Sequence, residues 1–172
     1  QGSWMALFHS ISAFCNAGFD LLGTPDALYP SLTSYRAEPI INLTIMALIV
    51  VGGIGFLTWD DIRRNGRHIH KYRMQSKGIL TMTTALIVVP AGYFFFFEFG
   101  DAPVGRRILL SLFQSVTPRT AGFNTADLTQ LSETGQSVMA VLMLIGGSPG
   151  STAGGMKTTT FAVLLAAAIA VF

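Results

Sequence analysis

Charge is what this sequence has least of. Nine acidic and eleven basic side chains make up 12% of its 172 residues, about half the share usual in a soluble domain. Hydrophobic residues account for 51%, and the mean hydropathy is +0.53. An ordinary soluble globular chain is thereby excluded, and a membrane class follows. The net charge of +2 is too small for a nucleic-acid-binding surface. A single cysteine, Cys15, excludes an internal disulfide framework and any metal site built from several cysteines. No nucleophile stands beside a base in a supported arrangement, so no enzyme is expected. No signal peptide is expected either, since no charged leader opens the sequence. The chain begins at Gln1 and stops at Phe172 inside an apolar run. It reads as a piece of a longer protein whose flanking membrane segments lie outside it.

What is present is a repeat. Phe8–Asp20 reads FHSISAFCNAGFD and Phe113–Asn124 reads FQSVTPRTAGFN, with Gly18 and Gly122 lying 104 residues apart. A long internal period means one structural unit built twice. Each copy follows a short apolar segment, Trp4–Cys15 or Ile108–Thr117. At ~1.5 Å per residue, twelve residues reach roughly 18 Å, well short of the ~30 Å hydrocarbon core. Two longer apolar segments, Ile40–Trp59 and Ile79–Phe99, are long enough to cross. Pro39 precedes the first, where proline is tolerated at a helix start, and Pro90 with Gly92 is placed to bend the second. Six of the eleven basic residues fall in the polar stretch Asp60–Lys77, which the positive-inside rule assigns to the cytoplasm. The last apolar block, Val138–Phe172, would reach roughly 52 Å as one helix. It breaks at GGSPGSTAGG, Gly146–Gly155, which holds five glycines and a proline.

A short helix followed by a glycine loop supplies what an ion needs on leaving water. Potassium filters replace the hydration shell with rings of backbone carbonyls. Such a backbone is neither helix nor strand, and it calls for positive φ, which glycine adopts at least cost. Irregular backbone at membrane depth survives where it is buried in protein or lines water. The negative C-terminal end of a short helix attracts the cation. Asn16-Ala17-Gly18-Phe19 and Thr120-Ala121-Gly122-Phe123 are the candidate strands, with Phe19 and Phe123 expected to wedge each loop against surrounding helices.

The paired stretches, the arginine-containing SVTPRTAGFNT and the glycine-rich LIGGSPGSTAGGMKTTT together resemble the Trk/Ktr/HKT superfamily of potassium transporters, in particular its KtrB/TrkH-type pore-forming subunit. The resemblance implies an all-α polytopic membrane protein. It is built from units of membrane helix, pore helix, filter loop and membrane helix, as in potassium channels, with a broken inner helix. Four such units make the family's pore, and this chain covers the end of the second and nearly all of the third. The division that follows is 1–23, pore helix and filter loop; 24–59, outer loop and inner membrane helix; 60–78, basic cytoplasmic loop; and 79–172, the next repeat. That repeat holds an outer helix 79–99, a pore helix and filter 104–124, and a broken inner helix 137–172.

The implied function is potassium translocation across the plasma (bacterial inner) membrane, sodium-dependent as in some relatives. K+ would pass the carbonyls of Asn16, Ala17, Gly18, Thr120, Ala121 and Gly122. Gly146, Gly147, Ser148, Pro149, Gly150, Ser151, Thr152, Ala153, Gly154 and Gly155 would form a gate loop in the pore below. No cofactor is implied beyond the transported K+ or Na+. The implied partners are a second pore subunit in a homodimer, a cytosolic ring of nucleotide-binding (RCK-type) regulatory subunits, and membrane lipid, with no nucleic acid.

Other readings stay open on the residues alone. A secondary transporter could hold a solute at a broken helix near the membrane midplane, and a membrane scaffold would explain the spans but not the doubled loop. The glycine-rich block could be a helix kink at a packing interface. A P-loop needs Gly-Lys-Ser/Thr, and here Met156 intrudes between Gly155 and Lys157. Lys157 itself could repel ions, pair with an acid or snorkel to the surface. Arg119 could tie its loop down through carbonyls or Asp127, or be solvated. His68 and His70 suit a solvated face, Asp60 and Asp61 a membrane interface, and Cys15 a small packing position.

Overall fold

The computed structural model describes residues 2–24, 30–126 and 128–171. Helix α1, Gly2–Phe14, is the first short helix. Helix α2 spans Pro39–Ile54 with Pro39 in its first turn. Asn42, almost fully buried, fixes its start: Nδ2 donates to the carbonyls of Tyr35 (2.8 Å) and Glu38 (2.7 Å). The span expected to be continuous over Ile40–Trp59 is in fact broken. Gly55 takes φ +93°, and helix α3, Phe56–Asn65, leaves α2 at 96°. Hydropathy stays high across the break, which is why the apolar run alone reads as one span. The VVGGIG step carries the signal, since only glycine accepts that backbone without strain.

Helix α4 runs Met74–Tyr93 and continues as a π-helical turn over Phe94–Glu98. These 25 residues are long and apolar enough to cross a membrane. Pro90 cannot donate to the carbonyl of Leu86, four residues back. Ser115 of helix α5, Val104–Val116, fills the gap: its hydroxyl lies 3.3 Å from the Leu86 carbonyl and 2.6 Å from that of Ile87. Helix α6, Glu133–Leu144, is capped by the Ser132 hydroxyl, which accepts from the Gly135 amide. Helix α7 is Thr158–Val171. The break between α6 and α7 falls on the glycine-rich block, as its composition predicts.

Among the described residues, two apolar clusters hold these pieces. One joins α1, α2 and α5 through Ala13, Ile45, Met46, Ile49, Phe113 and Val116, and it takes in Ala121 and Phe123. The other packs Phe94 against Leu131, Met139 and Leu142. At the basic corner, buried Asp61 accepts from the Ser76 hydroxyl (2.5 Å) and the Arg73 amide (3.2 Å), so a carboxylate on α3 caps α4. Asp60 pairs with Arg64 at 2.8 Å. The two aspartates thus organise the corner, a role their adjacency alone did not reveal. The rings of exposed His68 and His70 meet edge to face at 5.8 Å.

The α1–α2 contact tolerates no side chain at one point. A Cβ on Gly52 would stand 1.9 Å from the Phe14 carbonyl oxygen, whereas one on Gly53 would meet nothing within 4 Å. Gly52→Ala in the intact protein is expected to lower stability by about 1–3 kcal/mol. Gly53→Ala should be neutral or slightly stabilising. Thermal unfolding in detergent distinguishes them, and equal melting temperatures would contradict this packing.

Candidate functional site: two glycine strands and the loop beneath them

Each short helix ends in a strand of matched conformation. Asn16 (φ +52°) and Gly18 (φ +74°) take positive φ in the first strand, Thr120 (φ +71°) and Gly122 (φ +82°) in the second, and Ala17 and Ala121 between them do not. The 104-residue offset holds for both pairs. A β-branched residue at positive φ is an outlier, and such strain, of order 1–3 kcal/mol, persists only where the surroundings enforce it. The sequence pointed to the glycines. It gave no sign that Asn16 and Thr120 share their handedness.

The two strands lie against each other. A Cβ on Gly18 would stand 2.3 Å from the Ala121 carbonyl oxygen and 2.9 Å from Gly122 Cα, and one on Gly122 would stand 3.3 Å from Gly18 Cα. A hydroxyl from the parent helix holds the far end of each strand. Ser12 Oγ donates to the Phe19 carbonyl at 2.8 Å, and Thr117 Oγ1 donates to the Phe123 carbonyl. Counted from Phe8 and Phe113, these two hydroxyls occupy equivalent positions. The second strand is clamped further: Asn124 N donates to Ser31 Oγ (2.9 Å), and Leu32 N donates to the Asn124 carbonyl (2.9 Å).

The wedge expected of both phenylalanines exists for one. Phe123 is fully buried beside α1, but Phe19 is 69% exposed. Among the described residues, no helix occupies the place beside Phe19 that α1 occupies beside Phe123. Phe19 instead borders a shallow apolar groove of about 200 Å³ with Trp4, Leu7, Ile11 and Cys15. Cys15 is exposed there rather than packed. Arg119 is buried, not solvated, with 3% exposure, and its Nε and Nη1 find no acceptor among the described residues. Asp127, the acid suggested for it, lies outside the described residues.

Residues 146–155 fold back on themselves. The Gly146 amide donates to the Met156 carbonyl (2.9 Å) and the Met156 amide to the Leu144 carbonyl (3.2 Å). A Cβ on Gly146 would collide with the Gly154 carbonyl at 1.8 Å, so this neck admits only glycine. Ser148 and Thr158 join hydroxyls at 3.1 Å in the buried base. Lys157 points back into the loop and donates to the Ala153 carbonyl at 2.8 Å, a contact its place in the sequence did not suggest.

The loop seats on the break in α2. The Ser148 amide donates to the Gly53 carbonyl (3.0 Å), the Thr152 amide to the Gly52 carbonyl (3.2 Å), and the Phe56 amide to the Gly150 carbonyl (3.0 Å). It also touches the first residue of both strands. Thr152 Oγ1 donates to the Phe14 carbonyl (2.8 Å) and accepts from Asn16 Nδ2 (3.0 Å). A Cβ on Gly155 would lie 3.5 Å from Thr120 Cγ2. The loop is thus bonded to the glycine step of α2, through the Ser148 and Thr152 amides on the Gly53 and Gly52 carbonyls.

Comparison with known proteins agrees with this architecture. Residues 1–172 match the family described as TrkH, cation transport protein. The chain is 39% identical over 170 residues to the potassium/sodium uptake protein NtpJ of Enterococcus hirae, covering 96% of this chain and 36% of that protein. It is 40% identical over 169 residues to the Ktr system potassium uptake protein B of Vibrio alginolyticus, covering 94% of this chain and 36% of that protein. The chain therefore spans just over a third of the length of these relatives. Its fold superposes with a TM-score of 0.74 on the crystal structure of the potassium transporter TrkH from Vibrio parahaemolyticus, at 22% identity, covering 94% of this chain and 34% of that one. The chain is an all-α piece of a polytopic membrane protein, and it belongs to the TrkH family of cation transport proteins.

Proposed function

We propose that this chain carries two neighbouring quarters of a potassium-translocating pore in the plasma membrane. Asn16–Phe19 and Thr120–Phe123 are two of its filter strands, and Gly146–Gly155 is a gate on their inner side. The observation that carries this reading is the pair of touching strands with the same alternation of positive φ. In an extended strand, successive residues face opposite sides. Alternating left- and right-handed backbone instead turns neighbouring carbonyls to one side, which is what a dehydrated cation requires. Both strands also begin at the C-terminal ends of short helices, whose partial negative charge favours a cation there.

The glycine-rich loop supports the second half of the reading. It lies against the first residue of each strand, Asn16 and Thr120, across the way an ion would leave the filter. A helix kink needs no such seat on two strands and a second broken helix. K+ would be the transported ion, with sodium dependence a property to measure. The intact protein would work as a homodimer of pore subunits surrounded by lipid. A cytosolic ring of nucleotide-binding RCK-type subunits would dock on the basic stretch Arg63–Lys77.

The test is uptake of rubidium and sodium by the intact transporter in cells lacking other potassium uptake. Rubidium uptake that outcompetes sodium is expected, and Gly122→Ser should weaken that preference while the protein remains folded. Unchanged selectivity in a folded Gly122→Ser variant would overturn the filter assignment.

A further inference from the structure

The corner that joins α2 to α4 sets charge of one sign among exposed apolar side chains. Asp60–Lys77 carries six basic and two acidic residues, a net of +4 with histidine neutral. Both acids are already engaged inside the corner. Asp60 holds Arg64 at 2.8 Å, and buried Asp61 accepts from the Ser76 hydroxyl and the Arg73 amide. Arg63, Arg67 and Lys71 are exposed, and among the described residues no acid pairs with them. Three free cations within one short stretch attract an anionic partner.

The fold sets this charge at the edge of the apolar layer. Helix α2 has 16 residues, roughly 24 Å of rise, and α3 leaves its end at 96°. A helix at a right angle to one that runs through a bilayer lies along the membrane surface. Two contacts hold it there. The Trp59 indole N–H donates to the Val51 carbonyl, in the last turn of α2, at 2.9 Å. Asp61, further along α3, caps α4. The corner is therefore a braced platform and not a loop free to leave the surface.

Its apolar side chains face outward as well. Phe56 and Leu57 open α3, Met74 opens α4, Ile69 lies between them, and each is more than half exposed. At the inner ends of α2 and α4 they stand where acyl chains meet headgroups. Basic residues interleaved with apolar ones at that level are the composition of a helix that lies in the interface.

One chemistry satisfies both halves of the corner. The phosphate of an anionic phospholipid pairs with guanidinium and ammonium groups, and its acyl chains cover Phe56, Leu57, Ile69 and Met74. Free phosphate would answer the charge alone. A soluble acidic protein would have to reach apolar side chains that adjoin the bilayer.

We propose that α3 and the turn after it form a docking surface for anionic phospholipid, with Arg63, Arg67 and Lys71 on the headgroups. It requires that the chain cross a bilayer and is independent of the filter assignment. The experiment reconstitutes the intact transporter, without its regulatory subunits, into proteoliposomes containing photoactivatable phosphatidylglycerol or, in parallel, photoactivatable phosphatidylcholine. Crosslinked residues are then located by peptide mass spectrometry. Residues 56–74 of wild type are expected to be labelled by phosphatidylglycerol at least about fivefold more than by phosphatidylcholine, the contribution of one basic residue at an anionic surface. In Arg63→Gln/Arg67→Gln/Lys71→Gln the ratio should fall to about one. Equal labelling of wild type by the two lipids overturns the proposal even if the triple variant does not fold, and so does a preference that the folded triple variant keeps. Labelling abolished by inorganic phosphate, but not by sodium chloride of the same ionic strength, would mark a small-anion site and overturn it too. A segment labelled by neither lipid, and crosslinked only when the cytosolic ring is added, would assign the surface to protein instead.

Discussion

Gly18→Ala is expected to abolish discrimination between potassium and sodium, with a larger loss than Gly122→Ser. A Cβ on Gly18 would sit 2.3 Å from the Ala121 carbonyl oxygen and 2.9 Å from Gly122 Cα. Both obstacles are backbone, so no side chain can rotate away. The residue also sits at φ +74°, which adds roughly 1 kcal/mol for a residue with a Cβ. Gly122 is less confined, with only Gly18 Cα near, at 3.3 Å. The first strand must therefore shift when Gly18 is replaced, and it drags the second with it. Competition of sodium against rubidium uptake reads the effect. A Gly18→Ala protein that still excludes sodium would show that these strands are a structural turn.

The second large effect concerns the loop below. Five hydrogen bonds seat it: Ser148 N to Gly53 O, Thr152 N to Gly52 O, Phe56 N to Gly150 O, Thr152 Oγ1 to Phe14 O, and Asn16 Nδ2 to Thr152 Oγ1. At ~1 kcal/mol net for each bond, the seated state is favoured by about 5 kcal/mol, enough to close a pore and small enough to reverse. Removing Pro149–Ser151 should unseat it and raise potassium flux with selectivity unchanged. Thr152→Val deletes two of the five bonds at nearly constant volume, and at about 2 kcal/mol it should shift the open fraction up to roughly thirtyfold. Lower or equal flux from folded variants would identify the loop as a packing kink.

Much of this was legible in the residues because glycine leaves a specific mark. The doubled Ala-Gly-Phe located both strands, and five glycines with a proline in one apolar block located the break between α6 and α7. Short helices were readable from apolar length alone. The rest depended on neighbours far away in sequence. Gly55 breaks α2 inside a run whose hydropathy argued for continuity, and the break is stabilised by Ser148, Gly150 and Thr152, roughly a hundred residues on. Burial of Phe123 with exposure of Phe19 depends on which helix stands behind each strand, something two matching motifs cannot encode. Lys157 beside a glycine block gave no reason to expect its ammonium on the Ala153 carbonyl.

The central claim is that main-chain oxygens of these two strands take the place of water around a dehydrated cation. Crystals of the intact protein grown in rubidium, with anomalous scattering recorded at the rubidium edge, test it most directly. The account predicts peaks on an axis shared by residues 16–18 and 120–122, in contact with their carbonyl oxygens. Rubidium found only elsewhere, or carbonyls of both strands turned away from the ion, would contradict it.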